Sequence, residues 1–203
     1  MKPQPQARRR VLATLLSAGA AGLWAPTALA QRLSPRIDPT RALREMRIHK
    51  VPELGLEIWL ENQPPWAGAL ITEKGRPIFT AQSPDAYHPP SAMTFATWPG
   101  EAVPQAQMST LALTAIRSAA TNFGLNAGQA RGVAVLPAQY GVLQGSEGEF
   151  AGYAQGVDMD VRVFVGRQGE RFPLALSIYT LRGKMPHLEE VVRRCWGSIA
   201  YLS

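Results

Sequence analysis

The strongest constraint on the fold is the strict alternation of residue types in VDMDVRVFVG, residues 157–166. Successive side chains of a β-strand point to opposite faces, so the valines and Met159 share one face. The opposite face carries Asp158, Asp160, Arg162 and Phe164. The turn-like GRQGE and a second apolar run, RFPLALSIYTL, follow directly. Because no helical segment separates the two runs, the sequence predicts antiparallel pairing.

Earlier segments show the same strand-like pattern. The segment AGALITEKGRPIFTAQ, residues 67–82, predicts a hairpin, and AMTFATW, residues 92–98, predicts another strand. In LGLEIWLEN, residues 54–62, one side of the predicted strand carries Leu56, Ile58 and Leu60. The other side carries Glu57, Trp59 and Glu61. We expect the first side to face the core and the second to face solvent.

Two segments have the three-four spacing of amphipathic helices. The first covers residues 104–123, with Pro104 suited to a first turn and Gly124 suited to the position past the end. The second covers residues 186–196, with Glu189 and Glu190 in its first turn and arginines near its end, which complements the helix dipole. Each helix is predicted to pack one apolar face on a sheet.

This order of strands and helices predicts an α+β domain with a mainly antiparallel sheet and two main helices. The early hairpin, the long helix, the strands GEFAGYAQG, VDMDVRVFVG and RFPLALSIYTL, and a final helix running into CWGSIAYL resemble the PsbP/Mog1/DcrB-like superfamily over about residues 50–203. That resemblance implies an α-β-α sandwich and a small non-enzymatic binding, assembly or chaperone protein. It carries no chemical motif, so it transfers no ligand-binding residue.

The first thirty residues have the three-part pattern of a cleaved export signal, with a basic start, an apolar middle and small residues at Ala28 and Ala30. The segment RRRVL resembles a twin-arginine signal, and an ordinary secretory signal is the alternative. A membrane anchor would require a longer continuous apolar run. We predict cleavage after Ala30, a basic tether over residues 31–52 or a short helix around residues 40–46, and one domain over residues 53–203.

Charge argues against nucleic acid as a partner. Four of the 21 lysines and arginines lie in the leader with none of the 15 acidic residues, so the net charge falls from +6 to about +2 after cleavage. The basic character of the chain therefore belongs mainly to the leader. We expect a protein of the bacterial periplasm or the extracellular space, without a membrane span after cleavage.

Cys195 is the one cysteine of the sequence, so no intramolecular disulfide can form even in an oxidising compartment. It lies on the apolar spacing of the final helix, which indicates a buried structural thiol. An intermolecular disulfide is the alternative if the thiol is exposed.

No motif for a metal, cofactor or nucleophile is evident. The three histidines, His49, His88 and His187, lie in separate segments, and no glycine-rich phosphate loop has the required spacing. Asp158 and Asp160 are interpreted as solvated strand residues offset by a neighbouring arginine. We therefore expect no cofactor and no metal.

The stretch LEIWLENQPPW, residues 56–66, is the candidate binding surface. If the outer side of its strand is open, Trp59 and Trp66 rimmed by Glu57 and Glu61 would form a patch for a basic protein partner. If a helix covers that side, Trp59 is a packing residue.

The proline-rich loop DAYHPP adds Tyr87 and His88 to this candidate binding set. As an alternative, Asp85, Tyr87 and His88 of the same loop are the candidates for a hydrolase site.

These patterns favour an exported, non-enzymatic binding or accessory protein that acts through contact with another protein. A narrower alternative is an immunity protein that neutralises a toxin effector delivered to the periplasm. The hydrolase is the third hypothesis, and homo-oligomer formation is left open.

Overall fold

The computed structural model describes residues 46–73, 75–98 and 102–202. Within them the chain forms ten β-strands, three α-helices and two short 3-10 helices. The strands are β1 Met46–Val51, β2 Leu56–Glu61, β3 Ala67–Glu73, β4 Arg76–Gln82, β5 Ser91–Thr97, β6 Leu136–Tyr140, β7 Leu143–Ala154, β8 Val157–Arg167, β9 Leu174–Leu181 and β10 Ala200–Tyr201. The helices are α1 Gln105–Asn122, α2 Ala127–Gly132 and α3 Glu189–Gly197, with 3-10 helices at Pro52–Leu54 and Met185–Leu188.

The strands form two antiparallel sheets. Seven strands pair in the order β3-β4-β5-β9-β8-β7-β6, and a smaller sheet has the order β1-β2-β10. Every pairing between neighbouring strands is antiparallel. The predicted hairpin of β3 and β4 and the predicted antiparallel run of β7, β8 and β9 are therefore confirmed.

One face of the seven-stranded sheet packs against α1. This face carries Val161, Val163 and Val165 of β8, which join Ala115 and Ile116 of the helix in one buried cluster. Because side chains alternate along a strand, these three fully buried valines share one face of β8 with Met159, which is 3% exposed, while Val157 at the start of the strand is partly buried. The first predicted helix is thus confirmed in both its position and its apolar face.

Glycines in β7 let α1 approach the sheet closely. A methyl group added at Gly148 would lie 2.6 Å from the Ile116 Cγ2 atom, and one at Gly152 would lie 2.7 Å from the Phe123 Cβ atom. The spacing of glycines in GSEGEFAG therefore fits the surface of the helix, because a side chain at either position would overlap it.

The opposite face of the large sheet is covered by the small sheet and α3. Leu56, Ile58 and Leu60 of β2 are fully buried with Phe164 of β8 and Trp196 of α3. A helix thus lies on each side of the seven-stranded sheet, which confirms the predicted α+β class and α-β-α layering. The three-stranded sheet shares a layer with α3.

A buried arginine links α3 to the large sheet. Arg162 is 7% exposed, and its Nη2 atom donates to the Glu149 Oε2 atom at 2.7 Å. Its Nη1 atom donates to the Glu189 Oε2 atom at 2.8 Å in the first turn of α3. The expectation that Arg162 offsets the two aspartates is therefore wrong, since it pairs with two glutamates. Asp160 instead accepts the backbone N–H of Lys184 at 3.0 Å.

The predicted tether is corrected at its C-terminal end. Residues 46–51 form β1, which pairs with β2 along its length, from Met46 opposite Glu61 to Val51 opposite Leu56. The folded unit therefore begins before the predicted boundary at residue 53. The predicted leader and residues 31–45 lie outside the described residues. No helix in the described part of the chain is both long enough and apolar enough to cross a membrane.

The close approach of α1 to β7 gives the first prediction. Replacing Gly148 by Ala forces a methyl group into Ile116 and lowers the free energy of unfolding by about 1–3 kcal/mol. Gly132→Ala is the matched control, because beyond the adjacent residues and the backbone of its own helix no described atom lies within 4 Å of the added methyl group. Urea unfolding of both variants measures the difference. Equal stability of the two variants would contradict the proposed close packing.

Candidate functional site

The outward-facing side of the small sheet is the candidate functional surface. In the register of β1 and β2, Ile48 lies opposite Trp59 and Lys50 lies opposite Glu57. Residues directly opposite one another in an antiparallel pair project to the same side of the sheet. We call these four residues the outer face. Leu56, Ile58 and Leu60 project to the other side, into the core.

Trp59 is held in place on the outer face. Its Nε1 atom donates a hydrogen bond of 3.0 Å to the Glu57 Oε1 atom, two residues away on the same side of β2. Both side chains are half-buried, whereas Ile48 is 45% exposed and Lys50 is exposed. Trp59 is therefore partly rather than fully buried among the described residues, and its indole N–H group is satisfied.

Glu61 does not share this environment, although the alternation predicts that it does. It is 1% exposed, and neither of its carboxylate oxygens has a hydrogen-bond partner among the described residues. Burial raises the pKa of Glu61 to about 7, with Arg194 lowering it and Glu190 raising it by smaller amounts. The prediction that Glu61 lines an exposed rim is wrong.

Trp66 and Tyr87 are also core residues, which corrects their placement on a binding surface. They are 2% and 1% exposed, and their rings meet edge to face with centroids 5.4 Å apart. The backbone N–H of Trp66 donates to the carbonyl of Glu61 at 3.0 Å, so the chain reversal after β2 returns Trp66 to the end of that strand. Burial raises the pKa of the Tyr87 hydroxyl above its usual value, and Glu61 raises it further.

Cys195 of α3 completes this buried group. The thiol is free and fully buried, which confirms the predicted structural thiol. Burial raises the pKa of Cys195, and the charge of Glu61 raises it further, so the thiolate form is disfavoured. We call Glu61, Trp66, Tyr87 and Cys195 the Glu61 cluster. Glu61 and Trp66 come from one short stretch, whereas Tyr87 and Cys195 lie far along the chain, and no spacing rule connects the three segments.

The loop proposed for hydrolase chemistry does not present its three residues together. Tyr87 lies in the core, Asp85 is exposed and His88 is half-buried. His49 does not lie in this loop, and its ring packs on the ring of Phe79 with centroids 5.4 Å apart. Within the described ranges, no three His, Cys, Asp or Glu side chains are grouped as a metal ion would require.

Comparisons with known proteins support the fold and no more. No family model matches the chain, and no curated protein matches it. A crystal structure from Bacteroides thetaiotaomicron aligns with a TM-score of 0.51 at 9% identity, covering 77% of this chain and 48% of that one. The chain therefore spans about half the length of that protein.

A second similar structure is LpqN of Mycobacterium tuberculosis, which is described as involved in cell envelope biogenesis. It aligns with a TM-score of 0.46 at 14% identity, covering 85% of this chain and all of LpqN.

The raised pKa of Glu61 predicts a pH-dependent stability. In the unfolded chain the carboxyl loses its proton near pH 4.5, whereas in the folded protein it keeps the proton to about pH 7. Across this range the unfolded state binds fewer protons, so the free energy of unfolding falls as pH rises, by up to about 3 kcal/mol. Below pH 4.5 the contribution of Glu61 to the free energy of unfolding is constant, and above pH 7 this stabilising contribution is fully lost.

Glu61→Gln tests this dependence, because the variant lacks the titrating group. Urea unfolding from pH 4.5 to 8 gives a stability difference, variant minus wild type, that increases with pH. Using the difference cancels His49, whose pKa is lowered mainly by burial and whose contribution has the opposite sign. For Glu170→Gln, a control at an exposed position, we expect a stability difference that does not change with pH. A flat difference for Glu61→Gln as well would show that Glu61 is not buried.

Proposed function

We propose that the protein is exported and acts without catalysis, by binding another protein through the outer face. The observation that carries this proposal is Trp59, whose indole N–H is fixed by Glu57 while its side chain stays partly exposed, opposite exposed Ile48. A fixed aromatic ring next to an exposed aliphatic side chain loses little conformational entropy on binding. Tryptophan is also among the residues that contribute most to interface energy.

The charges of the outer face determine the kind of partner that we propose. Lys50 and Glu57 lie opposite each other across the strand pair, so the face carries one charge of each sign. Glu61 is buried, and the two-carboxylate rim that favoured a basic partner is reduced to Glu57 alone. We therefore propose a partner that contacts Trp59 and Ile48 through apolar groups. At the rim, this partner would place an acidic group near Lys50 and a basic group near Glu57.

Export is supported by the first thirty residues and is part of the same proposal. Their basic start, apolar middle and small residues at Ala28 and Ala30 match a cleaved signal. Cleavage after Ala30 would leave β1 and β2, and hence the whole outer face, in the mature chain. An exported protein without disulfides must be stabilised by its core, and here both faces of the large sheet are packed in buried apolar clusters.

Two tryptophans of the same stretch provide a matched test of this proposal. Trp59→Ala removes the surface ring and is expected to abolish partner binding while changing the melting temperature little. Trp66→Ala removes a core ring and is expected to cost about 3–5 kcal/mol of stability. Thermal unfolding and copurification from the native periplasm separate the two effects.

A photo-crosslinking residue at position 59 then locates the contact directly. Position 153 is the control, since Tyr153 is a 57% exposed aromatic residue outside the outer face. We expect a specific crosslinked species from position 59 and none from position 153. Partner capture that survives Trp59→Ala, or crosslinks of equal yield at both positions, would refute the outer face as the binding surface.

A further inference from the structure

A cavity of about 180 Å³ lies where the first turn of α1 meets the ends of β7 and β8. Its wall is formed mainly by polar groups, with Gln105 and Ser109 contributed by the helix and Gln144 and Ser146 by β7. Gln144 pairs directly with Arg167, the last residue of β8, and the Arg167 side chain also lines the cavity. The cavity is on the α1 side of the large sheet, whereas the outer face belongs to the layer on the other side.

Arg167 brings a positive charge to this cavity, and no carboxylate of the described residues pairs with it. It is 7% exposed, and its Nη1 atom donates to the carbonyl of Val103 at 2.7 Å. Its Nη2 atom donates to the Gln105 Oε1 atom at 2.8 Å, and its Nε atom has no hydrogen-bond partner among the described residues. Both observed acceptors are neutral oxygens, and a guanidinium group has five N–H donors. Among the described residues, the two bonds therefore leave some of these donors without an acceptor and the positive charge without an acidic partner.

The first turn of α1 adds to this positive potential. No side chain caps the helix at Pro104, and no acidic residue lies in its first turn. The N–H groups at the start of an 18-residue helix carry a partial positive charge that favours an anion. None of the described residues that line the cavity is acidic. A buried arginine and an uncapped helix start thus converge on one polar cavity.

We propose that this cavity is a binding site for a small oxyanion, such as a phosphate, sulfate or carboxylate group. The anion would accept hydrogen bonds from Arg167 and from the hydroxyls of Ser109 and Ser146, with the start of α1 stabilising its charge. The volume fits an isolated anion or a single anionic group of a larger molecule. The site is independent of the outer face, so either proposal can fail without the other.

The test is a titration of the mature protein with inorganic phosphate, sulfate and acetate at constant ionic strength, followed by amide chemical shifts. Saturable shifts confined to the first turn of α1 and to residues 144–146 and 167 are the expected result for at least one of these anions. Preference for phosphate and sulfate indicates a tetrahedral ligand, and preference for acetate indicates a carboxylate. Absence of saturable shifts there for all three anions overturns the proposal.

Gln105→Glu places a carboxylate beside Arg167 and is expected to weaken anion binding at least about tenfold, because it occupies the guanidinium and repels the ligand. Gln107→Glu is the matched control, because it adds the same charge to the same helix turn outside the cavity lining. We expect it to weaken binding by less than about threefold, since an exposed charge is screened. The amide spectrum of each variant without anion, compared with that of the wild type, shows that the fold is kept. Equal weakening by the two variants would show that the anion does not bind beside Arg167.

Discussion

Burial of both faces of the seven-stranded sheet is the constraint on which the rest of the structure depends. Along β8, Val161, Val163 and Val165 pack against α1, while Phe164 packs beneath the layer that contains α3 and the small sheet. Arg162 lies on the second face and is accommodated there by two glutamates, one of which, Glu189, begins α3. A charged residue can occupy such a buried position only when its ion-pair partners are fixed. The pairing of Arg162 with Glu149 and Glu189 therefore also sets where α3 lies.

The sequence predicted the layers well because their signals are local. Strand alternation and helical spacing repeat over ten or more residues, and the bounds of α1 differ by one residue at each end from the predicted segment. β1 was missed because the basic residues Arg47, His49 and Lys50 resemble a tether, and the adjacent His49 and Lys50 interrupt the alternation that begins with Met46. The Glu189 partner of Arg162 could not be predicted, since this residue is contributed by a helix 27 residues further along the chain.

Some candidate binding residues are exposed and others are buried, for a reason that the alternation of residue types cannot show. Glu57 and Trp59 lie in the middle of β2 and stay on its outer side, whereas Glu61 lies at the end of the strand, where the chain reverses. Trp66 returns beside it, and Tyr87 and Cys195 arrive from distant segments to complete the cluster. The stretch interpreted as a binding surface thus contributes two of its four candidate binding residues, Glu61 and Trp66, to the core. Of that stretch, Glu57 and Trp59 stay partly exposed, and they belong to the outer face that we propose for binding.

The central claim is that the outer face is the surface through which this protein acts. Hydrogen-deuterium exchange of residues 31–203, alone and in complex with a protein that copurifies from the source cells, tests it most directly. The account predicts that complex formation slows exchange in β1 and β2, residues 46–51 and 56–61, and leaves α1 and β7 unchanged. Protection confined to the α1 side of the sheet, with no change in β1 and β2, would contradict it.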